Sequence, residues 1–242
     1  ITVDGTNGRV YNGKISAQKK IEILPIVKTK TKIKVIIDLP DFAARASMSN
    51  AHGVGLLRLE GIIANAKNHP VKYMQENQLE EYEELLFKGI KKIVSSFPSH
   101  ESWVRASDIR TDEFQHLQGA PEIEANPMLG MHGIRFSLEN PKILEAEFRA
   151  VKRVYEEGFK IGIMLPQIIS AGEFEKAKEI AGNLGLSSKV KLGVMIETPA
   201  AVEIIEELCS KGIEFISFGT NDLTQYTLAV DRGNEKVQFL YN

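Results

Sequence analysis

The sequence predicts an α/β fold, a (β/α)8 TIM barrel. Three observations carry this. Six short apolar runs alternate with amphipathic stretches at helical spacing, the rhythm of repeated right-handed β-α units. The runs are apolar at nearly every position, as expected when helices cover one side and a packed interior the other. No Gly-x-Gly-x-x-Gly turn follows the first run, which weighs against a doubly wound dinucleotide-binding sheet.

The elements follow in order. Residues 33–37 (IKVII) read as the first strand and Phe42 to Met48 as a short helix. Val54 to Leu57 is the second strand, and Leu79, Tyr82, Leu86, Ile90 and Ile93 recur at helical spacing. Trp103 to Arg105 is the third strand, followed by a helical pattern from Leu144 to Tyr155. Ile161 to Leu165 is the fourth strand, ended by Pro166, and Phe174 to Leu184 a helix. Leu192 to Ile196, a helix from Ala200 to Cys209, then Phe215 to Phe218 complete the fifth and sixth strands, and the chain is helical again from Leu223. Six strands are complete by residue 218 of 242, so the barrel reads as truncated after six β-α units. Open edges are expected on the first and sixth strands.

Ahead of this rhythm, residues 1–15 read as a two-stranded hairpin turning at Asn7-Gly8. Residues 16–32, lysine-rich and interrupted by Pro25, read as a linker, and 33–242 as the barrel. A net charge of −2 weighs against a general nucleic-acid binder. No apolar run is long enough to span a bilayer and no signal segment opens the chain. The single cysteine excludes an intramolecular disulfide and a cysteine-based zinc site, and makes the cytoplasm the expected setting.

Ligands of α/β barrels bind at the C-terminal ends of the strands. Arg58 and Glu60 follow the second strand, Arg105 and Asp108 the third, Glu197 the fifth, and Gly219-Thr220-Asn221-Asp222 the sixth. Glu197 and Asp222 are hard oxygen ligands suited to Mg²⁺. Arg58 and Arg105 offer planar forks for a phosphate or carboxylate. Gly219 allows close backbone approach, and the Thr220 and Asn221 amides can donate to an anion at a helix start. Such a set suits an enolate or a phosphoryl group in transit. Singly, each has a plainer reading: a solvated arginine, or Glu197 and Asp222 as helix caps.

The strings GVGLLRLE (53–60), NPMLG (126–130), MIETPAA (195–201) and FGTNDLTQYTLAVDRGN (218–234) resemble the C-terminal domain of the phosphoenolpyruvate (PEP)-utilising enzymes. That family includes PEP synthase, pyruvate phosphate dikinase and enzyme I of the sugar phosphotransferase system. VRASDIRTDEF (104–114) is most similar to the synthase branch, and VDGTNGRVYNGKI (3–15) resembles the last hairpin of the family's swivelling phosphohistidine domain. The resemblance implies a PEP/pyruvate-type barrel with Mg²⁺ on Glu197 and Asp222. It implies substrate held by Arg58, Arg105, Glu197, Gly219, Thr220, Asn221, Asp222 and Arg232. It implies a homo-oligomer, with residues 73–96 and the approach to Asn126 as candidate contacts. The whole enzyme would convert ATP, pyruvate and water to AMP, PEP and phosphate. The alternatives are enzyme I or the dikinase, and, from another class, a non-catalytic assembly module.

Three departures from the family pattern stand out. His132 occupies the place of an arginine in NPMLGMHGIR, where a neutral imidazole would grip a phosphate more loosely; Arg135 matches a second family arginine. The phosphohistidine motif and ATP-binding domain are absent from this stretch; His52, His69, His100 and His116 match no such motif. The general-acid cysteine expected on an eighth strand is absent too, so this chain alone is expected to be inactive. Cys209, on the apolar face shared by Ala201, Val202, Ile205 and Leu208, reads as a buried core residue.

Overall fold

The computed structural model describes residues 1–4, 8–14, 29–186 and 188–241. Asn7 of the expected turn and residues 16–28 of the expected linker lie outside them. Contacts divide the chain into Ile1–Lys30 and Thr31–Asn242. In the first unit, β1 (Thr2–Asp4) pairs antiparallel with β2 (Arg9–Tyr11).

The second unit alternates strands and helices. β3 (Val35–Ile37) leads to α1 (Ala43–Ser47), and β4 (Val54–Arg58) to α2 (Glu60–Ile63), α3 (Pro70–Gln75) and α4 (Leu79–Val94). β5 (Ser102–Arg105) is followed, after a long loop, by α5 (Gly133–Glu139) and α6 (Pro141–Glu156). β6 (Ile161–Leu165) leads to α7 (Ala171–Asn183), β7 (Lys191–Ile196) to α8 (Pro199–Glu203) and α9 (Ile205–Ser210), and β8 (Ile216–Phe218) to α10 (Thr220–Leu228).

The sheet runs β3-β4-β5-β6-β7-β8, every neighbouring pair parallel. Each crossover therefore steps in the same direction. Right-handed crossovers that never reverse place all helices on one face, whereas a doubly wound sheet must reverse its order. The sheet also curls: Ile36 of β3 and Phe218 of β8, on opposite edges, line one cavity. The fold is thus the expected α/β barrel wall, seen over six β-α units. Ile36 and Phe218 are both exposed at those edges.

β6 is buried at all five positions, and β7 at all but its first, because helices and barrel interior sandwich them. On the helical face, Leu86, Ile90 and Ile93 of α4 and Leu144, Phe148 and Val151 of α6 are fully buried. No helix among the described residues is long and apolar enough to cross a membrane.

One core expectation fails. Cys209 is exposed, and Val202 is 43% exposed. The helix expected over 200–209 breaks at Ile204 into α8 and α9. Only Ala201 and Leu208, two turns apart, are fully buried, so the apolar stripe is wider than the face that packs.

Candidate active site

A cavity of about 420 Å³ opens at the C-terminal ends of the strands. Arg58, Arg105, Glu197, Gly219, Thr220, Asn221, Asp222 and Arg232 all line it. Asp108 and His132 line it as well, whereas Arg135 turns its guanidinium to the carbonyls of Leu129 (3.2 Å) and Gly130 (3.0 Å).

Glu197 immediately follows β7 and is buried. It caps no helix: Thr198 does that, its Oγ1 accepting from the Ala201 amide at 3.0 Å and donating to the Ile168 carbonyl at 2.6 Å. Asp222 is no cap either. Gly219 occupies that position at the start of α10, with no side chain capping the helix. Asp222 stands in the first turn, where the helix dipole favours a carboxylate.

Gln167 bridges the two acids. Its backbone N–H donates to Glu197 Oε1 at 2.7 Å, and its side-chain amide donates to Asp222 Oδ2 at 3.3 Å. Burial, then the nearby Asp108 charge, pushes the Glu197 carboxyl up to about 8; Arg105 works the other way, and Asp222 adds to the rise. Asp222 Oδ1 is buried with no hydrogen-bond partner; the nearest cation, Arg232 Nη2, is 3.5 Å away. Gly219 is required here by space. A Cβ on it would lie 2.5 Å from both Cβ and Oε2 of Glu197.

Arg105 ends β5 and is largely buried. Its Nη2 donates to Glu60 Oε1 at 3.1 Å, and its Nη1 lies 3.5 Å from Asp108 Oδ2. Its Nε is buried without a partner. Burial raises the Glu60 carboxyl despite Arg105, whereas Arg105 and His132 outweigh burial at Asp108 and hold that carboxyl low. Arg58 ends β4 and forms a two-pronged pair with Asp38, including Nε to Oδ1 at 2.8 Å. Arg232 is 41% exposed at the rim.

His132 departs from its sequence reading. Nδ1 lies 2.7 Å from Asp108 Oδ1, and Nε2 lies 2.9 Å from the Met128 carbonyl. Both partners are acceptors, so the ring satisfies both only as the imidazolium. Burial works to lower its pKa, but the Asp108 hydrogen bond and charge outweigh it and raise the value. The contacts at the arginine's place therefore favour the imidazolium over the neutral ring.

Four residues escape the sequence reading. Asp38 and Gln167 follow β3 and β6, and the strand-end rule, applied to every strand, finds both. Arg110 lines the cavity two residues past Asp108, in a string already rich in charge. Glu147 stands on the buried face of α6, where it accepts from the Ser107 amide, the Ser107 hydroxyl and the Tyr82 hydroxyl. Its signal is a carboxylate inside the apolar stripe of Leu144, Phe148 and Val151.

Among the described residues no group of three or more His, Cys, Asp or Glu is suited to a metal ion. A Mg²⁺ site does not need three, since this ion keeps several waters and binds through one or two carboxylates plus substrate. Asp222 Oδ1, with no hydrogen bond and only the Arg232 guanidinium 3.5 Å away, fits a cation, and the Arg105 Nε–H, without a hydrogen-bond partner, fits an anion.

Residues 14–242 match the family model described as PEP-utilising enzyme, PEP-binding domain. The whole chain is 47% identical to a probable phosphoenolpyruvate synthase of Archaeoglobus fulgidus, covering 33% of that protein. It is 46% identical to the phosphoenolpyruvate synthase of Pyrococcus furiosus, covering 32% of that protein. Across 97% of the chain it is 34% identical to the phosphoenolpyruvate-protein phosphotransferase of Haemophilus influenzae, covering 41% of that protein. The chain spans about a third of the length of the synthases it matches. With the barrel wall, the strand-end cavity and these matches together, the chain belongs to the PEP-utilising enzymes, over their PEP-binding domain.

Proposed function

We propose that the cavity binds PEP and pyruvate together with Mg²⁺, and that within a whole synthase it hosts phosphoryl transfer between a phosphohistidine and pyruvate enolate. One observation carries this reading. Glu197, Asp222 and Arg105, from three separate strand ends, meet in one cavity with a carboxylate oxygen and a guanidinium N–H that lack hydrogen-bond partners among them.

Glu197 and Asp222 would hold the cation. When bound, Mg²⁺ supplies Lewis-acid stabilisation of negative charge on the substrate oxygen. The chain's own residues do the remainder. Arg105, buried and pinned by Glu60 and Asp108, offers its pre-oriented Nε–H to the phosphate or carboxylate. Arg58 is held in place by Asp38, and Arg232 closes the rim. His132 offsets the negative charge of Asp108 while both its nitrogens stay engaged. In the direction of synthesis, the P–N bond of phosphohistidine breaks as a P–O bond forms to the enolate oxygen, and the nitrogen keeps the bonding pair.

The synthase reading of the whole enzyme, with ATP, pyruvate and water giving AMP, PEP and phosphate, is supported by 46–47% identity to synthases against 34% to the protein phosphotransferase. It includes a swivelling phosphohistidine domain as donor, a homo-oligomeric assembly and a cytoplasmic setting. Titration calorimetry of PEP with and without Mg²⁺ tests the site. Binding that needs Mg²⁺ and disappears in Glu197→Ala and Asp222→Ala is expected. Equal affinity in all three proteins overturns the reading, and a discrete oligomer without ligand binding would favour an assembly module.

A further inference from the structure

We propose that Gln167 and Tyr226 are positioning residues that set the Glu197–Asp222 pair for a divalent cation, an inference that rests on the metal reading above. Neither residue lines the cavity as a ligand. Each acts on groups that do.

Gln167 is placed at a conformational cost. Its backbone is left-handed (φ 59°), a region uncommon for residues other than glycine, and its side chain is buried. Such backbone persists only where the surroundings over-determine it. Here they do. Gly133, itself left-handed at φ 60°, makes the room: a Cβ there would come within 2.7 Å of Gln167 Cβ. The Ile134 amide donates to the carbonyl of Pro166 at 3.2 Å, tying the start of α5 to the same turn.

That backbone lets one residue serve both acids. Its N–H takes Glu197 Oε1 and its side-chain amide takes Asp222 Oδ2. One oxygen of each carboxylate is thereby engaged. Asp222 Oδ1 is left buried without a hydrogen-bond partner, and Glu197 Oε2 faces Gly219, where no Cβ intrudes. The amide is oriented in turn. The Tyr226 hydroxyl lies 3.2 Å from Gln167 Oε1 and 2.9 Å from the Met128 carbonyl. With its oxygen turned toward Tyr226, the amide presents its NH₂ to Asp222. The Tyr226 proton is shared between these two acceptors, and the same Met128 carbonyl also accepts from His132, so one contiguous polar cluster reaches from the acid pair to Asp108. Partners that hold the second oxygen of a ligating carboxylate typically govern metal affinity by about 10–100-fold.

The test uses Mn²⁺ as probe, followed by the paramagnetic resonance signal of free Mn²⁺, on the whole 242-residue chain. Gln167→Met keeps the volume and the backbone N–H but removes the amide. Its Mn²⁺ Kd should rise about 10–100-fold, with the metal-free Tm close to that of the wild type. Tyr226→Phe should weaken Mn²⁺ about threefold or more, because one oriented hydrogen bond is lost. Wild-type Kd values in both variants overturn the inference and leave the metal site standing. Wild-type protein that binds no Mn²⁺, with or without pyruvate, overturns the metal reading and this inference with it. If Gln167→Met does not fold, Tyr226→Phe decides: weaker binding at unchanged Tm supports the inference, and unchanged Kd overturns it.

Discussion

His132 and Asp108 form a buried pair, Nδ1 to Oδ1 at 2.7 Å, whose other contacts fix its charge state. The second imidazole nitrogen faces a carbonyl, and the second carboxylate oxygen lies 3.5 Å from Arg105. An imidazolium and a carboxylate satisfy every one of these contacts.

Stability should therefore depend on pH through this pair. The folded His132 pKa is raised, so its contribution is full below about 6.5 and fades as pH rises through the folded value. Asp108 is held low, so its contribution is present above about 3.9 and fades as pH falls through the folded value. Removing one partner of a buried pair costs about 3–5 kcal/mol. His132→Gln should accordingly lower Tm at pH 6 markedly more than at pH 9. A pH-independent loss in thermal melts would show that the ring carries no charge.

Glu197 should make cation binding pH-dependent. Its folded pKa, raised to about 8, means that the carboxyl keeps a proton until the pH approaches that value. A cation must displace this proton, so Mn²⁺ affinity should climb by up to about tenfold per pH unit below 8 and level off above. Titrations between pH 6 and 9 check this. A flat profile contradicts it.

Gly219→Ala should disable the site without a backbone penalty. The residue has φ −84°, which alanine tolerates, but its methyl would collide with Glu197. Overpacking of this kind typically costs about 1–3 kcal/mol of stability. PEP binding in the presence of Mg²⁺ should fall at least about tenfold for a comparable displacement of one ligand. Calorimetry and a melting curve measure the two effects separately.

Glu147→Gln should act on the site from a distance. Burial pushes this carboxyl up to about 7 while three hydrogen bonds from Ser107 and Tyr82 oppose the shift. The folded state therefore binds a proton that the unfolded chain has released, and stability declines as pH rises from about 4.5 to 7. Glutamine removes that slope. It also sets an NH₂ against donors, which should cost about 1–3 kcal/mol. Ser107 lies between Arg105 and Asp108, so PEP affinity should fall as well. Melts from pH 4.5 to 8 and calorimetry test both parts.

The barrel was legible because burial on both faces leaves its mark on each strand. IGIML at 161–165 and the run ending at Ile196 are apolar throughout, and no other element of this length needs that. The strand-end rule then found Arg58, Arg105, Glu197 and Asp222, since parallel strands deliver all their C-terminal ends to one rim. It missed Asp38 and Gln167 only where it was not applied. Cys209 was misplaced for a different reason. Helical spacing shows which residues share a side, but not how much of that side a neighbour covers.

The order of residues by itself determined the parallel alternation, the rim, and which carboxylates and arginines stand on it. Those follow from periodicity and chain direction, which are local properties. Only the folded arrangement decided that His132 faces two acceptors that favour its charged form, that Gln167 spans two acids, and that Gly219 makes room for Glu197. Each of these depends on distances between atoms from different strands, and no one-dimensional pattern encodes a distance across a cavity.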